Sequence, residues 1–109
     1  MRISEYRAVW VCVMFDLPTT TKTEKRNYAR FRKNLKKDGF TMLQFSVYVR
    51  HCASGENGIV HQKRVKAFLP PNGKISIITV TDKQYSSMVT YWGRKQQPGV
   101  EAPKQLELF

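Results

Sequence analysis

At 109 residues, with 41% hydrophobic and 12% aromatic side chains, the chain suffices for one compact core and not for a deep enclosed catalytic cavity. Its 19 lysines and arginines against 8 aspartates and glutamates give a formal net charge of +11, which repels itself in the fold and seeks polyanions, nucleic acid first and an anionic membrane surface second. No stretch approaches the ~20 apolar residues of a spanning helix, the opening residues do not read as a cleaved leader, and Cys12 and Cys52 lack metal-ligand spacing, so a reducing cytoplasm is the expected setting.

Residues 8–15, Ala-Val-Trp-Val-Cys-Val-Met-Phe, are rich in β-branched and aromatic side chains and too short for a typical helix, so they predict a strand. The run does not alternate with polar residues. Both faces are apolar, and a layer of helices can cover only one of them. Asp16 ends the run before Leu17-Pro18 and three threonines. Thr21-Lys22-Thr23-Glu24 fits a capping box and opens a helix with Tyr28, Phe31 and Leu35 on one face. Gly39 ends that helix, with Phe40 placed to pack back over its last turn.

Residues 41–43 and 45–49 read as two short strands with a bend near Gln44. Residues 51–58, with His51, Ser54, Gly55, Asn57 and Gly58, have loop composition. A second helix is expected over 59–69, with Val65, Phe68 and Leu69 inward and Lys63, Arg64 and Lys66 outward, ended by Pro70-Pro71-Asn72-Gly73. Residues 75–81 form the clearest strand. After a turn at 82–85, residues 88–92 suggest a further short one. Residues 94–105 read as a linker, and 106–109 as a terminal strand segment suited to pairing at a sheet edge.

The order strand, helix, strand, strand, helix, strand is that of a ferredoxin-like α+β fold over residues 1–93, an antiparallel sheet with both helices on one face. The second apolar face of the first strand then calls for a partner. A homodimer packing sheet against sheet would supply it.

Along the first helix, Lys22, Arg26, Arg30, Lys33 and Lys37 are spaced by four, four, three and four. At ~3.6 residues per turn they share one stripe, opposite the apolar face. Like charges at such spacing repel, so the stripe gains nothing by itself. It is either a solvated face or a set of phosphate contacts, and the near-absence of interspersed carboxylates favours the second.

Asp16 sits at the end of an apolar central strand, a sheet rim where an oxygen ligand for Mg2+ would be at home. The competing reading is a turn cap through Pro18, accepting backbone N–H groups. One carboxylate is thin for metal catalysis, though a two-fold dimer would bring two copies of Asp16 together. His51, which opens a loop, and His61, on the second helix, each read as a packed or surface residue rather than a base or ligand. Tyr48, Tyr85 and Trp92 could stack on bases, but aromatics in strands more often belong to a core.

Met14-Phe15-Asp16-Leu17-Pro18, Phe31-Arg32-Lys33-Asn34-Leu35, Gly39-Phe40, Gln44-Phe45-Ser46-Val47-Tyr48 and Thr79-Val80-Thr81-Asp82-Lys83-Gln84, in this order, resemble the CRISPR-associated protein two family. The likeness spans residues 7 to about 93 and is greatest to members from systems whose effector is a single RNA-guided nuclease. The resemblance implies a ferredoxin-like homodimer that binds duplex DNA and bridges two dimers of the integrase subunit during spacer acquisition. It also implies a metal-dependent endoribonuclease or deoxyribonuclease activity, with Asp16 at the catalytic Mg2+-ligand position. Relatives often place a second acidic residue shortly after it, where this loop reads Thr19-Thr20-Thr21. An autonomous Mg2+-dependent nuclease and a non-catalytic RNA-binding module of the same fold are the alternatives.

Overall fold

The computed structural model describes residues 7–97. At its centre lies β1 (Val9–Asp16), paired antiparallel on both sides, with β3 (Val47–Cys52) and β4 (Lys74–Thr81). With β2 (Thr41–Gln44) outside β3, the sheet order is β2-β3-β1-β4. The helices α1 (Lys22–Lys37) and α2 (Gly55–Ala67) follow β1 and β3 in the chain. This is the ferredoxin-like arrangement expected from the sequence. Among the described residues, no helix is long and apolar enough to cross a membrane.

Period-two alternation divides β1 between two environments. Val9, Val11, Val13 and Phe15 are buried with Phe31 and Leu35 of α1, Val65 of α2, and Tyr48 and Cys52 of β3. Each such aliphatic or aromatic side chain contributes roughly 1.5–3 kcal/mol on burial. Trp10, Cys12, Met14 and Asp16 point the other way. On that face Trp10 and Val49 are buried by Tyr85 of a short helix, α3 (Asp82–Ser86), with Cys12, Leu43, Val80 and Met88 packed alongside. The cover is partial, leaving Met14 and Ile78 exposed.

The ends of α1 follow from its sequence. Thr21 Oγ1 accepts the Glu24 N–H at 3.1 Å, and Glu24 Oε1 accepts the N–H groups of Thr20 and Thr21 at 2.9 and 3.0 Å. At the other end Gly39, at φ +89°, donates to Lys36 O, and Phe40 donates to Leu35 O, both at 3.0 Å. That is a Schellman closure, with buried Phe40 seated against the core.

Four sequence expectations are corrected. Phe45 and Ser46 are not strand residues: they form the two-residue turn between β2 and β3, with Ser46 at φ +65° and Phe45 77% exposed. The segment 51–58 is not a loop throughout, because β3 runs to Cys52 and α2 begins at Gly55, its N-cap Ser54 accepting the Asn57 N–H. Gly58 is a packing glycine, since a Cβ there would stand 3.1 Å from a Val9 methyl. Leu69 lies beyond the end of α2 and is exposed, whereas Phe68 packs against the core. The expected turn at 82–85 is α3, closed by a second capping box in which Thr81 and Gln84 exchange hydrogen bonds.

β5 (Tyr91–Trp92) and β6 (Lys95–Gln96) form a separate hairpin, so paired strand reaches into the stretch read as linker. The terminal segment 106–109 lies outside the described residues.

Candidate nucleic-acid interface and the Asp16 rim

The five basic residues of the α1 stripe, Lys22, Arg26, Arg30, Lys33 and Lys37, are all exposed. None takes part in an ion pair among the described residues, where the pairs are His51–Asp82, His61–Asp38 and Arg64–Asp38. The carboxylate of α1 itself, Glu24, is committed to the N-cap. Arg32 is set apart from the stripe: its Nε donates to the Tyr48 hydroxyl at 2.9 Å, and its guanidinium lies 5.8 Å from the Tyr28 ring centroid. Phe31 and Leu35 anchor the opposite side of α1 in the core, which fixes the cationic stripe outward.

Asp16 is exposed at the last position of β1, opposite Lys74 in the register with β4. The two form no ion pair among the described residues. The alternative reading of Asp16 as a turn cap finds no such bond among the described residues, and the N–H groups of Thr20 and Thr21 go to Glu24 instead.

Two close approaches shape this rim. The Phe15 N–H donates to Ser46 O at 3.1 Å, placing the exposed Phe45 turn beside the end of β1. Gly73, at φ +101°, passes so near the chain that an added Cβ would stand 2.4 Å from Leu17 Cδ2 and 3.0 Å from Asp16 O. Only glycine accepts both that φ and that contact. Phe45 and Lys74 therefore join Asp16 at one edge of the sheet, and sequence reasoning missed both. For Phe45 the only signal was its place in an apolar run interrupted by Gln44 and Ser46.

The donor chemistry of the rim decides what it offers Mg2+. An exposed carboxylate suits the ion, but the described residues of one chain supply Asp16 alone at this rim. Among the described residues no group of three or more His, Cys, Asp or Glu could hold a metal. The residues fit the ion only if a second copy brings its own Asp16.

Both histidines have aspartate partners far away in sequence. His61, buried on α2, donates from Nδ1 to Asp38 Oδ2 at 2.8 Å, and Arg64 donates to Asp38 Oδ1 at 2.9 Å. Burial pushes the Asp38 carboxyl up, but the hydrogen bonds from His61 and Arg64 outweigh it and hold the group below its ordinary range. Arg50 Nε adds a bond to the Asp38 carbonyl at 2.8 Å, securing the end of α1 to β3. His51 Nε2 and Trp10 Nε1 both donate to Asp82 Oδ1, at 3.0 and 2.8 Å. These contacts join helices and strands and touch neither the stripe nor Asp16.

Burial pushes the Cys12 and Cys52 thiols up, which disfavours the thiolate. Of the three aromatics considered for base stacking, Tyr48 and Tyr85 are core residues, while Trp92 is exposed.

Comparison with known proteins agrees with this architecture. The family model described as CRISPR associated protein Cas2 matches residues 9–88. The chain is 52% identical to the CRISPR-associated endoribonuclease Cas2 of Parvibaculum lavamentivorans, over 93% of this chain and 100% of that protein. It is 47% identical to the protein of the same name from Flavobacterium psychrophilum, over 99% of this chain and 94% of that one. The corresponding protein of Paracidovorax avenae is 43% identical, over 98% and 99%.

Proposed function

Because this chain belongs to the CRISPR associated protein Cas2 family, we propose that it serves CRISPR adaptation in the cytoplasm, as a basic homodimer that binds duplex DNA and bridges dimers of the integrase subunit for insertion of new spacers. The observation that carries this reading is the exposed stripe Lys22, Arg26, Arg30, Lys33 and Lys37, free of ion-pair partners among the described residues. A rigid helix holding these cations in one line matches a phosphate backbone and reads no base sequence, as befits a protein that must accept any captured duplex. The apolar remainder of the open sheet face, around Cys12, Met14 and Ile78, supports pairing of two copies.

The test is the triple variant Arg26→Glu, Arg30→Glu, Lys33→Glu, titrated against duplex DNA over a range of salt. Each lost phosphate contact reduces the slope of log affinity against log salt by about 0.9. The expected outcome is weaker binding at every sequence and a slope smaller by about 2–3. Unchanged affinity and slope would make the stripe a solvated face.

A second activity is favoured by the Asp16 rim. The relatives bear the name endoribonuclease, and Asp16 leaves its carboxylate free at an exposed edge beside Phe45 and Lys74. In a sheet-to-sheet dimer, the two Asp16 side chains would be the ligands for a shared Mg2+. When bound, that ion supplies Lewis-acid polarisation of a phosphate and a more acidic water. Lys74 would pair with the phosphate backbone at the same edge, and Phe45 would offer a flat surface to a neighbouring base.

A further inference from the structure

Phe15, Tyr28 and Phe45 form a row of aromatic rings that runs from the core to solvent. Phe15 and Tyr28 meet edge to face with centroids 6.0 Å apart, and Tyr28 stands 6.3 Å from Phe45 with the planes 31° apart. Phe15 is buried, Tyr28 half-buried, and Phe45 exposed at the end of the row. Alternation along β1 turns Phe15 toward the helices, away from the side that carries Cys12 and Met14. The row therefore lies on the helix side of the sheet, and a second copy seated around Met14 and Ile78 meets the other side. Phe45 also stands on a fixed backbone, because the Phe15 N–H donates to Ser46 O in the same turn.

Arg32 borders the row. Its Nε donates to the Tyr48 hydroxyl at 2.9 Å and its guanidinium lies 5.8 Å from the Tyr28 centroid, so the group is held in place. Its terminal N–H groups have no acceptor among the described residues. At ~3.6 residues per turn, the exposed Lys25 and Lys36 fall between Arg32 and the Lys22–Lys37 stripe. Cationic surface thus reaches from the stripe to the aromatic row, and Glu24, the one carboxylate of α1, is tied to the N-cap.

We propose that Tyr28, Arg32 and Phe45 form a seat for one unpaired nucleobase at the corner between α1 and the β2–β3 turn. The base stacks on the open Phe45 ring, which Tyr28 supports from behind, and Arg32 takes the phosphate that the base carries. Every base has a π-face, so such a seat accepts any of them. A ring fixed before binding costs little ordering when the base arrives. Duplex lies on the stripe, whereas a base that has left the helix reaches the corner beside it. The inference rests on the reading that α1 faces nucleic acid, and it adds Tyr28 and Arg32 to Phe45 as the groups that position an unpaired strand near the Asp16 rim.

The full chain and its Phe45→Ala and Phe45→Trp variants are titrated, in chelator so that nothing is cut, with a short thymidine homopolymer carrying a central 2-aminopurine and with a blunt duplex. Anisotropy of the labelled nucleic acid gives affinity, and quenching of 2-aminopurine emission reports stacking. The expected result is quenching by the wild type, and about tenfold weaker strand binding without quenching in Phe45→Ala. Phe45→Trp should keep the affinity, and duplex binding should be the same in all three. Arg32→Gln should reduce the slope of log strand affinity against log salt by about 0.7, one phosphate contact on a single strand. Wild-type strand affinity and quenching in Phe45→Ala would overturn the proposal. So would loss of a dimer by that variant in light scattering, which would make Phe45 a contact between copies. A wild type that binds duplex through the stripe and ignores the homopolymer refutes the seat alone, whereas one that binds neither refutes the nucleic-acid reading with it.

Discussion

Trp10 and Tyr85 stack with ring centroids 3.9 Å apart and planes 9° from parallel, and this pair closes one end of the sheet face that α1 and α2 leave bare. Asp82 fixes the arrangement by accepting from the Trp10 indole and from His51. Beyond the pair, β1 continues with Cys12 and the exposed Met14, beside the exposed Ile78 of β4. A second copy would therefore seat on the half of the face nearer Asp16, which is what a shared Asp16 site requires.

Met14→Glu tests that contact. The residue is exposed, so the variant is expected to fold, with unchanged far-ultraviolet circular dichroism. In a sheet-to-sheet dimer the new carboxylate would be desolvated against apolar side chains, at a cost of several kcal/mol. Light scattering should report a monomer. A persistent dimer would place the interface elsewhere.

Asp16→Ala separates catalysis from binding. The side chain is exposed and accepts no hydrogen bond among the described residues, so its loss should change stability by less than about 0.5 kcal/mol. Any Mg2+-dependent cleavage of RNA or DNA should vanish, as it should for the wild type in chelator, while duplex affinity is retained. Cleavage by a purified Asp16→Ala variant would remove the carboxylate from the chemistry.

Stability should carry an acid limb from Asp38, whose folded pKa is lowered by His61 and Arg64 against the opposing effect of burial. Below the ordinary carboxylate value of ~4, the unfolded chain binds a proton that the folded chain does not. The Asp38 contribution is thus complete above that value and is lost as pH falls through the lower folded value. Urea titrations across this range should show the loss in the wild type and a flatter limb in Asp38→Asn. At neutral pH Asp38→Ala should cost about 2–3 kcal/mol, since it leaves the buried His61 Nδ1–H without its acceptor. Identical acid limbs in wild type and Asp38→Asn would contradict this assignment.

What could be read in the sequence was local. The two apolar faces of β1, the Thr21–Glu24 capping box and the Gly39–Phe40 closure each depend on neighbours within a few residues, and each stands in the structure as expected. The Thr81–Gln84 box obeys the same rule but reads as a turn in the sequence, because a five-residue helix is too short to show periodicity. Ser46 gives no turn signal in the sequence, because a two-residue turn with positive φ usually announces itself by glycine or asparagine. Gly58 misled in the opposite direction: its missing side chain serves the close packing of α2 on β1. The aspartate partners of His51 and His61, 31 and 23 positions away, and the approach of the Phe45 turn to Asp16 arise only from the sheet order. The cationic stripe needed no tertiary information, since helical geometry alone aligns it.

The proposed bridging dimer is tested most directly by size-exclusion chromatography with light scattering of the protein alone, then with duplex DNA, then with duplex DNA and the integrase subunit of the same CRISPR system. The expected result is a dimer that joins one larger assembly containing all three components, and loss of that assembly in Met14→Glu. A monomer that elutes apart from both DNA and integrase would contradict it.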